Sequence, residues 1–158
     1  MRVEQIMARP VHSCRPEDSL ARAAQLMWDH DCGCLPVIES NGAERVVGMI
    51  TDRDICMCAL FEGSPLGALK VRQAMAKQVQ VCRPDDSLAE AERVMREARV
   101  RRLPVVDDND VLVGMISLAD VAQTAEREST AESPDITPHE VGTTFAEISC
   151  PLHRQLMA

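Results

Sequence analysis

The sequence predicts an α+β fold made of two copies of one unit. Three observations predict it: an internal repeat, the same order of helical and strand periodicities in each copy, and a length that leaves room for little else. Residues 3–38 align with residues 71–106 at about 17 identities in 36 positions, far above chance agreement. Cys14-Arg15-Pro16 recurs as Cys82-Arg83-Pro84, Asp18-Ser19-Leu20-Ala21 as Asp86-Ser87-Leu88-Ala89, and Leu35-Pro36-Val37 as Leu103-Pro104-Val105. After a two-residue deletion, Val47-Gly48-Met49-Ile50-Thr51 meets Val113-Gly114-Met115-Ile116-Ser117, with Asp54 opposite Asp120. A unit of roughly 55 residues is marginal alone, whereas 158 residues can bury a shared core. The expected arrangement is therefore a pseudo-twofold pair: a first unit over 1–62, a linker over 63–70, a second unit over 71–128 and a tail over 129–158.

Within each unit the expected order is strand, helix, strand, strand, helix. A short strand precedes Ser19 and Ser87, which read as helix N-caps. Leu20, Ala23, Ala24 and Met27, echoed by Leu88, Ala91, Val94 and Met95, fall at the spacing of a buried helical stripe. Only the second copy has the residues of a full capping box, since Glu90 follows Ser87 by three where the first copy has Arg22. Two strand-like runs follow, Leu35 to Glu39 and Arg45 to Thr51, separated by Ser40-Asn41-Gly42, whose Asn-Gly pair suits a tight reversal. Asp108-Asn109-Asp110 does the same without glycine. A second helix then starts at Thr51 or Ser117. In the tail, Ser133-Pro134 and Thr137-Pro138 break the chain before a short helix with a capping Thr137, Pro138 at its first position and Glu140 at its third. Val141, Phe145 and Ile148 form one apolar stripe on it, ending at Pro151. A helix this short is unstable alone in water, so it should dock, on its own module or across a dimer.

Composition narrows the function. With 17 Lys and Arg against 25 Asp and Glu, the net charge of −8 repels phosphate backbones and anionic membranes, which argues against nucleic acid as a partner. One Trp, two Phe and no Tyr cannot build a surface that stacks successive bases, so a flat ligand must sit among aliphatic groups. The first residues carry charge and lead to no apolar run suited to a signal peptide or a membrane span, which points to a cytoplasmic protein. Seven cysteines, an odd number, fit reduced thiols better than a disulfide framework.

Gly48-Met49-Ile50-Thr51-Asp52-Arg53-Asp54 and Gly114-Met115-Ile116-Ser117-Leu118-Ala119-Asp120 each read as a buried strand running straight into a helix. Two readings apply. In one, the hydroxyl and the carboxylate three residues later merely cap the helix. In the other, the free N–H groups and hydroxyl form an anion site suited to phosphate, and the carboxylate accepts hydrogen bonds from ribose.

These words, duplicated together with Leu-Pro-Val, resemble the cystathionine beta-synthase (CBS) domain family, in which two tandem units form a Bateman module. The resemblance covers about residues 1 to 125 and is similar to stand-alone modules of the hypoxic-response type. It implies a regulatory module that binds AMP, ADP, ATP, S-adenosylmethionine or a dinucleotide in the cleft between units and signals by changing conformation or oligomeric contacts. It implies that Thr51 and Ser117 contact phosphate or ribose and that Asp54 and Asp120 hold the ribose hydroxyls. Arg53, Arg101 and Arg102 are the expected phosphate partners. A homodimer acting on a separate protein partner is also implied.

No catalytic constellation is legible: Gly-x-Ser-x-Gly, His-Glu-x-x-His and Gly-x-x-x-x-Gly-Lys are absent, so no enzyme activity is expected. The alternative is a redox- or zinc-responsive interaction module using Cys32, Cys34 and Cys150, with His12, His30, His139 and His153 as further donors. Cys56 and Cys58 lie about 200° apart on a helix and cannot face one ion. Buried packing thiols are the competing explanation for all of these cysteines.

Overall fold

In the computed structural model, which describes residues 1–40, 42–131 and 133–150, the repeated words become repeated elements. A 3-10 turn at Val3–Gln5 is followed by helix α1 (Leu20–Asp29), strands β1 (Cys34–Ser40) and β2 (Glu44–Thr51), and helix α2 (Asp52–Glu62). The second copy supplies α3 (Val71–Ala74), α4 (Leu88–Ala98), β3 (Arg102–Val106), β4 (Leu112–Ser117) and α5 (Leu118–Arg127), and the tail adds α6 (Pro138–Ser149). Strands β1 and β2 form one two-stranded sheet, β3 and β4 another. The β1–β2 pairing is antiparallel and runs from Cys34 opposite Thr51 to Ser40 opposite Glu44, with a register shift at Val37/Ile38. The predicted first strand shrinks to a single parallel bridge in each copy, Cys14 to Val37 and Cys82 to Val105.

The chain divides into two compact units. One comprises residues 10–79 and 108–112, the other residues 1–9, 80–107 and 113–158. In the first, Leu20, Ala23 and Met27 of α1 pack with Leu35, Val37 and Ile50 of the hairpin and with Ile55 of α2. In the second, Leu88, Ala91 and Met95 pack with Leu103, Val105, Ile116 and Val121. Both cores follow the predicted stripes, except that Ala24 and Val94 are only half-buried. The segment that opens each repeat belongs to the unit built around the other repeat. Val3 donates its N–H to Asp86 O at 2.9 Å and is fully buried beside Leu88, and Val71 donates to Asp18 O at 2.9 Å and is fully buried beside Leu20.

Local signals place the ends of the elements. Ser19 Oγ accepts from Arg22 N–H and Ser87 Oγ from Glu90 N–H, each at 3.1 Å, as N-caps should. The full capping box expected at Ser87 is not made, because the Glu90 carboxylate binds the Arg93 guanidinium one turn on. Helix α2 ends at Gly63 in the left-handed region, φ 61°, as a C-terminal glycine permits. Asn41 of the predicted Asn-Gly reversal lies outside the described residues, as does Pro151. Gly42 beside Asn41 has φ 94°, and in the second copy Asp110 takes φ 62°.

Helix α6 forms as predicted, with Thr137 and Glu140 making a complete capping box, and packs on α4 and α5 of its own unit. Its buried face differs from the expected stripe. Val141 and Thr144 are buried and Ile148 packs partly against the core, but Phe145 is 51% exposed. Successive residues on a helix are about 100° apart, so turning Thr144 inward carries Phe145 to the flank of the seam.

Candidate functional site

The two strand-to-helix corners have the same geometry. At the first, Asp54 Oδ2 accepts from Thr51 N–H at 2.9 Å and from Thr51 Oγ1 at 2.7 Å, while Asp54 N–H donates to Thr51 Oγ1 at 3.1 Å. At the second, Asp120 Oδ2 accepts from Ser117 N–H at 2.8 Å and from its Oγ at 2.6 Å, and Asp120 N–H donates back at 3.2 Å. The capping arrangement is thus present in full, and it consumes one carboxylate oxygen at each corner. The four residues are half-buried, and the first three N–H groups of α2 already have acceptors, Asp52 on Gly33 O, Arg53 on Asp52 Oδ1 and Asp54 on Thr51 Oγ1.

Backbone contacts hold each corner against its neighbouring strand. Asp52 N–H donates to Gly33 O at 3.1 Å, and the equivalent Leu118 N–H donates to Arg101 O at 2.9 Å. The motif glycines serve a steric purpose that the sequence does not disclose. A Cβ on Gly48 would stand 2.8 Å from Met75 Sδ and 3.0 Å from Ala76 O, and one on Gly114 would run into the Met7 side chain. Removing that Cβ lets the chain at Ala76 pair with Met49, and the chain at Ala8 pair with Met115.

The predicted cations fall into two groups. Arg53 is exposed on the first turn of α2, beside Asp54. Arg101 and Arg102 come together with Ser117 on one cavity, whose other wall is α6. There Arg101 Nη2 donates to Ser149 Oγ at 3.1 Å, and its guanidinium lies 5.2 Å from the centre of the Phe145 ring. The role of α6 in this cavity was missed from sequence, since only the docking stripe was legible.

The cysteines divide by environment. Cys14 and Cys82 are buried, each with Sγ near a proline carbonyl of the next strand, Pro36 O and Pro104 O. Burial first, then Asp18 or Asp86, pushes both thiols up to about 12, so they stay protonated and pack. Cys56 is exposed and Cys58 half-buried, as their separation on α2 predicts. Among the described residues no group of three or more His, Cys, Asp or Glu side chains is placed to hold a metal ion. Cys32 and Cys34 belong to the unit of residues 10–79, and Cys150 to the other. His12 and His30 do meet, with ring centres 3.4 Å apart and planes 6° from parallel. Their in-plane nitrogen lone pairs do not converge on one point in that stack. His153 lies outside the described residues.

Comparison with known proteins identifies the architecture. The family model for the CBS domain matches residues 3–59 and 71–126. The CBS domain-containing protein YhcV of Bacillus subtilis is 35% identical over 120 residues, covering 76% of this chain and 82% of that protein. The crystal structure of hypoxic response protein I with two coordinated zinc ions superposes with a TM-score of 0.70 at 32% identity, over 78% of this chain and 98% of that one. The structure of CBSX2 in complex with AMP superposes with a TM-score of 0.69 at 28% identity, over 81% and 98% of the two chains.

Proposed function

The chain belongs to the CBS domain family, and from that premise we propose that it is a non-enzymatic regulatory module that binds an adenosyl-type nucleotide at its strand-to-helix corners. The observation that carries this reading is the duplicated corner itself. A hydroxyl and a carboxylate meet at a helix N-terminus in both units, in a chain that superposes on a CBS protein in complex with AMP. At each corner the oxygen of Asp54 or Asp120 not used by the cap accepts from ribose hydroxyls. The helix N-terminus and Thr51 or Ser117 face the phosphate. Arg53 supplies the cation in one unit, Arg101 and Arg102 in the other. AMP, ADP, ATP, S-adenosylmethionine and dinucleotides share the adenosyl group and form the ligand set. In this reading residues 1–62 and 71–128 are the two CBS domains, joined by 63–70 and followed by the tail of 129–158. The module is a cytoplasmic homodimer that signals by changing conformation or assembly to a separate protein.

Thermal melting with AMP tests the reading. Millimolar AMP should raise the wild-type Tm, since a ligand at 100 times its Kd stabilises by about 2.7 kcal/mol. Asp54→Ala and Asp120→Ala should each reduce that rise and together abolish it. Glu140→Ala, which removes a comparable capping carboxylate from α6, should leave it intact. If no adenosyl compound at millimolar concentration shifts the wild-type Tm, the nucleotide reading fails.

A further inference from the structure

Helix α6 lies on α4 and α5 in one unit, whereas α1 and α2, their counterparts in the other, pack chiefly on each other, on β1 and β2 and on α3. At the surface of the α1–α2 seam is a cavity of about 380 Å³, lined by Ala24, Trp28, Asp31, Gly33, Asp52 and Ile55 among others. Its lining takes in none of Thr51, Arg53 and Asp54, the corner residues assigned to the nucleotide. Trp28, the only tryptophan of the chain, is 84% exposed there. An exposed indole beside a cavity is the kind of anchor that protein interfaces bury.

The second repeat shows what such a seam takes. There α6 meets Arg96, whose Nε lies 3.6 Å from Glu147 Oε2, Arg99, which donates to Cys150 O at 3.4 Å, and Arg101, which holds Ser149 and Phe145. In the repeat alignment these three positions carry Trp28, Asp31 and Gly33, and Asp52 stands where α5 has Leu118. The backbone keeps its conformation, with φ 48° at Asp31 and 56° at Arg99. The two repeats thus offer a helix the same ground with opposite charge. We propose that the α1–α2 seam docks an amphipathic helix of a separate protein, with basic residues flanking its apolar stripe. The stripe covers Ala24, Ile55 and the Trp28 ring, and the Lys or Arg side chains meet Asp31 and Asp52 and lie over the indole. Charge decides against this chain's own surfaces as the occupant. Helix α6 of a second copy brings Glu140 and Glu147, and pairing the seam with itself about a twofold axis gathers carboxylates with no basic residue in the lining to offset them. This docking gives the regulatory module proposed above its class of partner, and in that it rests on that reading.

Titration of the full chain with stapled helical peptides that lack tryptophan tests the proposal, with Trp28 fluorescence and calorimetry as readouts. One peptide carries Lys on both sides of a Leu stripe, a second carries Glu at the same places, and a third scrambles the first. The Lys peptide should shift Trp28 emission to the blue and bind about tenfold more tightly than the other two. Trp28→Ala, which changes a side chain outside the core, should abolish that binding. An Asp31→Arg, Asp52→Leu double variant, which installs the residue types of the second repeat, should reverse the preference in favour of the Glu peptide. The AMP-induced rise in Tm should persist in Trp28→Ala, and if AMP shifts no Tm while the Lys peptide still binds, the nucleotide reading alone fails. The inference is overturned if no peptide moves Trp28 emission, if the Lys peptide binds no better than the Glu or scrambled one, or if Trp28→Ala binds it like the wild type. It is overturned equally if Trp28 is already shielded in the free protein and Trp28→Ala splits a dimer, since a second copy then covers the seam.

Discussion

Single residues show where a repeated word serves packing rather than chemistry. Cys14 and Cys82 open the same Cys-Arg-Pro word, and each closes the core of its unit beneath a Leu-Pro-Val strand. Their thiols are raised from 9.0 to about 12, chiefly by burial, so the folded state keeps both protons over a range in which the unfolded chain loses them. A raised thiol pKa contributes stability that is complete below pH 9 and is lost as pH climbs from 9 towards 12. The denaturant midpoint should therefore fall across that window, and a Cys14→Ala, Cys82→Ala double variant should show a flatter profile. Alkylation of the native protein at pH 8 should label exposed Cys56 and spare Cys14 and Cys82, with peptide mapping as the readout. Rapid labelling of the buried pair would contradict their assigned place.

At the scale of elements, α6 is where sequence pattern and packing part. Its ends follow local rules: Thr137 and Glu140 cap each other, and hydrogen bonds from Thr137 hold the Glu140 carboxyl below its ordinary range. Its face does not, because the seam takes in Thr144, whose buried hydroxyl has no hydrogen-bond partner among the described residues, and leaves Phe145 half outside. An alternating choice of Val141, Phe145 and Ile148 is what a helix stripe suggests. The helix packs on α4 and α5, and Glu92 of α4 is likewise buried with one oxygen that has no hydrogen-bond partner among the described residues. Urea unfolding of three variants should report this arrangement. Val141→Ala should cost about 2 kcal/mol, Phe145→Ala less than about 1 kcal/mol, and Thr144→Val should stabilise by about 1 kcal/mol by removing an orphaned hydroxyl. A Phe145→Ala loss larger than that of Val141→Ala would restore the stripe read from sequence.

At the scale of the molecule, the two compact units are not the two repeats. Val3 and Met7 belong to the core around Leu88 and Leu103, and Val71 to the core around Leu20 and Leu35, so each repeat lends its opening segment to the other. Deleting residues 1–9 should therefore weaken the unit that contains α4, α5 and α6, although the deleted residues belong to the first repeat. Hydrogen exchange should show protection falling in α4 and β4 while α1 and β2 keep theirs. Loss of protection confined to α1 and β2 would show that each repeat folds on its own segment. The same exchange accounts for Gly48 and Gly114, which clear space for the lent segments at Met75 and Met7.

The sequence by itself determined the duplicated elements, the helix caps at Ser19, Thr51, Ser87, Ser117 and Thr137, and the apolar stripes of α1 and α4. All of these rest on neighbours three or four residues apart or on strict periodicity, and local pattern encodes such neighbours directly. It also made the corner residues visible, because repetition marks a pair of positions that a single Thr-x-x-Asp could not. Only the tertiary structure decided the exchange of opening segments, the partner of Glu90, the inward turn of Thr144, and the meeting of Arg101 and Arg102 with α6. Those outcomes depend on contacts between residues tens of positions apart, such as Arg101 with Ser149, and on competition among several apolar faces for one seam. A linear pattern carries no distance between such residues, so chain packing alone selects among them.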